Sequence, residues 1–248
     1  MKKLCLVAGI VGIMGVSMVQ AAVQVRMEWG DAHYGHAGEF KAFVPGMDPF
    51  ETFCLEAYEN INIPGIYDAT FATYAVQGGP DPNNFDAGSD PISKATAWLY
   101  SRFLWNPTEI GYGNTAEDAG LLQAALWWLE NESFLRGPYV KAGQQSPIIA
   151  GLAGESSDNK FLQKALDYFK PLGSTDYTYA NLDELRQVDA ADREFGVWVM
   201  NLTRTVNGEL VYKQSVLAPV PEPSTIIAGA LLLLPFAAST IRRMRKNR

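Results

Sequence analysis

The segment "TAEDAGLLQAALWWLEN", Thr115 to Asn131, carries the strongest helix signal in the chain and decides its fold class. Thr115 can cap the helix, and Asp118 three residues later predicts a capping box. An apolar stripe with spacings of three and four then follows, formed by Leu122, Ala125, Leu126 and Leu129. The segment therefore predicts a helix that packs against a core.

A second stripe on the same helix contains Gln123, the one uncharged polar residue inside the helix. Gln123, Trp127 and Glu130 lie one and two turns apart and so share a face beside the apolar stripe. Flanked by leucine and alanine, Gln123 is expected to be at least half buried. The sequence leaves open whether its amide is a surface group or a buried group paired with backbone.

On either side of this helix, the sequence predicts further helices in the middle of the chain and β-strands toward its two ends. Two further helices are predicted at Pro91–Trp105 and Asn159–Phe169. Strands are predicted at Val23–Trp29, Phe40–Val44 and Phe53–Glu56, and a hairpin joins Gly196–Leu202 to Glu209–Val216 through the turn pair Asn207-Gly208. The expected fold is an extracellular α+β domain over residues 22–219, with one C-terminal transmembrane helix after it.

The two ends of the chain predict export. Lys2 and Lys3 precede an apolar run that ends in small residues, which is typical of a signal peptide over residues 1–21. Near the other end, the uncharged segment Ser224–Ile241 predicts a helix of about 27 Å, close to the thickness of a bilayer core. Arg242, Arg243 and Arg245 follow it and should stay on the cytoplasmic side.

The C-terminal tail, residues 220–248, resembles a known sorting signal. Pro221, Glu222 and Pro223, followed by the apolar span and the arginine cluster, are similar to the PEP-CTERM tail of Gram-negative surface proteins. The resemblance implies a membrane anchor at the inner membrane during sorting, a processing protease of the exosortase type as partner, and delivery to the cell surface or extracellular matrix. It implies nothing about the activity of the domain upstream.

The charge of the domain excludes one class of partner. Without the seven basic residues of the two ends and Glu222, the totals of 20 basic and 27 acidic residues fall to 13 and 26. Because such an acidic surface repels phosphates, no nucleic acid is expected as a partner.

The cysteine count raises the question of what Cys54 does. Of the two cysteines, Cys5 lies in the predicted signal peptide, so an exported chain keeps Cys54 alone. Exported proteins normally carry cysteines in pairs. Three interpretations remain: a buried small apolar residue, an intermolecular disulfide, or a reactive thiol.

Two short motifs favour the reactive thiol by resemblance. "TFCLE" at residues 52–56 and "LLQAALWWLE" at residues 121–130 resemble the motifs of Cys-Gln thioester domains of bacterial surface proteins. The resemblance implies a bond between Cys54 and Gln123, with Phe53, Ala125 and Trp127 around it. Leu122 and Leu126 stand where that family usually has threonine and isoleucine. The implied function is a structural or adhesive surface protein that anchors covalently to an amine or hydroxyl, or associates with exopolysaccharide.

Two other classes of function stay open. Six tryptophans are compatible with a carbohydrate-binding module, which needs aromatic rings exposed on one face. A hydrolase would need paired acids, for which the candidates are Glu130 with Glu132 and Asp189 with Asp192. No nucleophile turn or phosphate loop is present in the sequence, so the protein is not expected to be an enzyme.

Neither a cofactor nor a metal is expected. His33 and His36, with Asp31 and Glu39, could supply zinc ligands, and the alternative is a polar loop.

Overall fold

The computed structural model describes residues 22–34, 38–56, 61–76, 90–130, 159–169 and 188–220. Within them it forms an α+β fold, an antiparallel sheet packed against three helices. The strands are β1 (Val23–Trp29), β2 (Phe40–Phe43), β3 (Phe50–Thr52), β4 (Gly65–Ala72), β5 (Tyr74–Ala75), β6 (Asp90–Pro91), β7 (Val197–Val206), β8 (Glu209–Tyr212) and β9 (Val216–Pro219). The helices are α1 (Lys94–Trp105), α2 (Ala116–Leu129) and α3 (Lys160–Phe169).

The main sheet has seven strands and bends back on itself. Its order is β3-β2-β1-β4-β7, after which the first half of β7 pairs with β9 and the second half with β8. The free edge of β9 meets the segment that follows β3, where Cys54 and Val216 form an antiparallel bridge. Both ends of the sheet are therefore joined through residues 53–55, and the remaining strands, β5 and β6, form a separate pair.

Alternation along the strands divides the apolar residues into two clusters. The sheet core is lined by alternate strand residues together with Cys54 and Trp127, and it includes Val25, Met27, Phe40, Tyr67, Met200, Leu202 and Val216. The helix core lies between the helices and the other sheet face and includes Phe53, Leu55, Trp98, Tyr100, Leu122, Ala125, Phe161 and Leu217. Adjacent residues such as Cys54 and Leu55 thus belong to different cores, as a period of two requires.

The helices begin where the sequence predicts them, within three residues. The Thr115 hydroxyl accepts a hydrogen bond from the backbone of Asp118 at 3.1 Å, which confirms the predicted cap of α2. The prediction that the Asp118 carboxylate completes the capping box is wrong. The Asp118 carboxylate instead accepts from Gly113 N at 2.6 Å and pairs with Lys160 Nζ, the first residue of α3, at 2.5 Å. Asp118 therefore ties α2 to the preceding loop and to α3.

The β-strands follow the predictions less closely. The strand Val23–Trp29 and the hairpin turn at Asn207 and Gly208, with φ of 53° and 86°, are confirmed. The third predicted strand is displaced, because the extended segment is Phe50–Thr52 and residues 53–56 contribute only the bridge at Cys54. The second hairpin strand ends at Tyr212, since the chain then turns back and lays β9 along the start of β7.

The predicted signal peptide and the predicted sorting tail after Val220 lie outside the described residues. Among the helices that the structure describes, none is long and apolar enough to cross a membrane. The transmembrane helix at residues 224–241, and the domain boundaries that rest on it, stay predictions.

Candidate functional site

The candidate site begins with the backbone around Cys54. Leu55 N donates to Ser215 O at 2.9 Å and Leu217 N donates to Phe53 O at 3.1 Å, so the hydrogen bonds to β9 flank Cys54 on both sides. In an antiparallel pair, the residue between two such bonds points its own N–H and C=O away from the partner strand. The polar backbone groups of Cys54 consequently face away from β9, toward helix α2.

The side chain of Gln123 satisfies both of these groups. Cys54 N donates to Gln123 Oε1 at 2.9 Å, and Gln123 Nε2 donates to Cys54 O at 2.7 Å. Gln123 has no exposed surface and Cys54 is 2% exposed, so the predicted burial of Gln123 is confirmed. The amide takes the place of a neighbouring strand, because an amide group offers the same donor and acceptor as a peptide unit.

The hydrogen bond to Oε1 affects the reactivity of the Gln123 amide carbon. When a nucleophile adds to that carbon, negative charge develops on Oε1, and Oε1 already accepts the N–H of Cys54. A donor aimed at a developing oxyanion lowers the barrier to acyl transfer. The hydrogen bond therefore places a donor where charge would develop if the Gln123 amide were attacked.

The predicted surroundings of the pair divide between the two cores. Trp127, one turn after Gln123, lies with Cys54 in the sheet core and is 8% exposed. Phe53 and Ala125 face the helix core, where the Phe53 ring meets Phe103 edge to face at 4.9 Å. Trp127 is thus the one predicted neighbour on the side of the cysteine, whereas Phe53 and Ala125 pack behind it.

Tyr100 and Thr52 stabilise the junction between β3 and β9, and the sequence did not predict this role for either residue. The Tyr100 hydroxyl donates to Glu51 O at 2.8 Å, and the Thr52 hydroxyl donates to Leu217 O. Burial raises the pKa of Tyr100 well above its ordinary value, so it stays a neutral donor. Tyr100 falls on the buried face of the predicted helix, but nothing in the local sequence points its hydroxyl at this strand pair.

The other candidate clusters have structural partners. Glu39, a candidate zinc ligand from the sequence, accepts from Asp31 N at 3.0 Å and from the Tyr112 hydroxyl at 2.6 Å. Burial raises the pKa of Glu39. Among the described residues, no group of three His, Cys, Asp or Glu side chains is placed to hold a metal ion, and His36 lies outside them.

The acids proposed for hydrolysis are only partly described. Glu130 accepts from Ser93 N at 3.0 Å, and burial raises its pKa to about 7, while Glu132 lies outside the described residues. Asp189 bridges to Ser93 through the backbone, and Asp192 lies 3.8 Å from Arg193 Nε. Glu130 thus has a partner at the start of α1, and hydrolysis stays an alternative hypothesis.

The residues of the predicted sorting tail are not placed by the structure. Pro221, Glu222, Pro223 and the three arginines fall outside the described residues.

Comparison with known proteins adds little to this picture. No protein-family model matches the chain, and no curated protein sequence matches it. Among solved structures, the chain is similar to the N-terminal thioester domain of the fibronectin-binding protein SfbI from Streptococcus pyogenes, at 12% identity and a TM-score of 0.37. The match covers 80% of this chain and 94% of that one. So loose an overlap establishes neither a shared fold nor a shared function.

Proposed function

We propose that the protein is an exported surface domain of structural or adhesive role that attaches covalently to its target through an internal Cys54–Gln123 thioester. The observation that carries the proposal is the pair of hydrogen bonds that fixes the Gln123 amide against the Cys54 backbone in a site with almost no exposed surface. Holding the Gln123 amide beside the residue that bears the thiol raises the effective concentration of the two groups.

The reaction balances without any co-reactant. Cys54 sulfur bonds to the Gln123 amide carbon, the carbon–nitrogen bond breaks, and the thiol proton leaves with the nitrogen as ammonia. A target amine then attacks the same carbon, forms an amide with the former Gln123 side chain, and returns the proton to the Cys54 sulfur. The domain reacts once and does not turn over, so it is a covalent anchor and not an enzyme.

The tail supports the cellular part of the proposal. Pro221, Glu222 and Pro223 before an apolar span and an arginine cluster resemble a sorting signal read by an exosortase-type protease. A chain addressed to the surface or matrix would meet amines and hydroxyls there.

The decisive experiment is the intact mass of the freshly purified full-length protein. We expect a mass lower than that of the same polypeptide without the bond by one ammonia, and a methylamine adduct at Gln123 that exposes the Cys54 thiol to alkylation. Cys54→Ala and Gln123→Ala should each abolish both signals. Gln123→Glu is the matched control, since it keeps the size and the acceptor oxygen but has no ammonia to lose.

A different result would identify a purely structural pair. Full mass, no methylamine adduct and a Cys54 thiol that alkylates only after unfolding would overturn the thioester and leave Gln123 as a buried strand partner. In that case Gln123→Ala still destabilises the fold, by about 1–3 kcal/mol for each backbone group of Cys54 left unpaired. A dimer that disappears with reductant would instead assign Cys54 to an intermolecular disulfide.

A further inference from the structure

A cleft lies at the end of the domain where α1 and β9 finish and β3 begins. Its volume is about 670 Å³, within the range of sites that bind small molecules. The loop before β3, Trp105 of α1 and Val220 after β9 contribute to its walls. No part of the Cys54–Gln123 pair lines this cleft.

Trp105 is the most unusual side chain of the cleft. It is 62% exposed, whereas Trp98 and Trp127 are buried. Within the described part of the chain, the Trp105 side chain makes no hydrogen bond and stacks on no other ring. A large aromatic surface left bare beside a cavity is a common feature of ligand sites, because covering it releases water from an apolar face.

Two of the residues that line the cleft are acidic. Asp48 and Glu51 bring carboxylates to it, and Met47 and Leu104 bring apolar surface. Lys41 Nζ lies 3.0 Å from Glu51 Oε1 and balances its charge. The cleft therefore suits a ligand that combines a flat apolar face with hydrogen-bond donors, and it disfavours anions.

We propose that this cleft binds a pyranose unit of a neutral or amino-substituted polysaccharide, with the ring stacked on Trp105 and a hydroxyl donating to Asp48. A pyranose presents C–H groups on its faces and hydroxyls around its rim, which matches an exposed indole next to carboxylates. A bare organic cation would also stack on tryptophan. A bare cation would fill only a small part of the cleft, and tetramethylammonium serves to distinguish it from a sugar.

The proposal is independent of the thioester, although the two sites lie close in the chain. Glu51 is three residues before Cys54, a distance of about 10 Å along an extended backbone. Reversible sugar binding is therefore measured in full-length Cys54→Ala protein, which cannot capture a ligand covalently. Failure of either proposal leaves the other standing.

The probes are cellotetraose as a neutral sugar, the tetramer of glucosamine as an amino sugar, and tetragalacturonate as an acidic sugar. Calorimetric titration should show binding of the first two and none of the third. Trp105→Ala should weaken binding about tenfold or more, and Asp48→Asn should weaken it to a smaller extent. Trp105→Tyr, which keeps a ring, should retain most of the affinity.

The control is Tyr212→Ala, which removes an exposed ring of β8 outside the cleft and should bind like the parent. Because Trp105 is largely exposed, its replacement should leave the thermal unfolding midpoint unchanged. The proposal fails if neither the neutral nor the amino sugar binds at about 10 mM, if Trp105→Ala binds as tightly as the parent, or if tetramethylammonium binds while the neutral sugar does not.

Discussion

Gln123 stabilises the folded chain before any reaction takes place. Its amide pairs with both backbone groups of Cys54, at 2.9 and 2.7 Å, in a site closed to water. Thioester formation would keep the oxygen and lose the nitrogen, so Cys54 C=O would give up its donor. The bond therefore forms at the expense of one buried hydrogen bond, and its later opening by an amine restores a nitrogen at the same place.

Glu130 gives the domain a predicted pH dependence of stability. Burial raises its pKa from 4.5 to about 7, helped by the nearby charge of Asp90 and opposed by hydrogen bonds from Thr96 and Ser93. Between these two pH values the folded state holds a proton that the unfolded chain has lost. The free energy of unfolding should therefore fall as pH rises through this window and level off above it.

Urea unfolding of the parent and of Glu130→Gln between pH 4.5 and pH 8 measures the effect. The parent should lose about 1–3 kcal/mol over the window, and the glutamine variant, which keeps an acceptor for Ser93 N, should lose far less. Glu209→Gln, which neutralises an exposed acid of β8, should follow the parent. Parallel profiles for the parent and Glu130→Gln would refute the assignment.

At the scale of elements, the cap of α2 positions the helix that carries Gln123. Thr115→Ala removes the hydroxyl that accepts from Asp118 N, and it should lower the free energy of unfolding by about 1 kcal/mol. Glu117→Ala, on the exposed face of the same first turn, should cost only a few tenths, about 0.3 kcal/mol. Thermal or urea unfolding of both variants checks this. An equal loss in the two would mean that the cap contributes nothing specific.

The same elements explain what the sequence could and could not predict. Thr115 and the Asn207-Gly208 turn were predictable, because a cap and a tight turn depend on residues a few positions apart. Strand β9 was missed because all four of its residues are buried between two neighbours, so no alternation marks it. The capping-box role predicted for the Asp118 carboxylate is wrong, because Lys160, on a helix distant in sequence, pairs with it instead.

The candidate site could be predicted in part only. Motif resemblance brought Cys54 and Gln123 together, and their hydrogen bonds agree with that juxtaposition. The reason for the contact, the outward-facing backbone of Cys54, depends on its bridge to Val216 near the other end of the chain. No local pattern encodes a pairing over that separation.

At the scale of the whole molecule, the predicted tail would decide where the domain works. Deleting residues 221–248 should release the protein into the medium, because the predicted anchor is lost. Replacing Arg242, Arg243 and Arg245 with serine should disturb orientation or retention. Fractionation of cells and medium measures both, and the mature protein should end close to Pro223. Full recovery of the tailless chain on the cell surface would exclude the sorting role.

The position of β9 also governs how the domain would bear tension. β9 is bonded to β7 along one edge and to residues 53–55 along the other, and the chain leaves it directly toward the tail. A pull on Val220 acts along the strand while these hydrogen bonds lie across it, so both rows resist in shear at the same moment. Since a captured target would be joined to Gln123, a load would enter the domain through α2 and leave it at Val220. The force between a captured target and the cell would therefore pass from α2 to β9, a strand that is held along both of its edges.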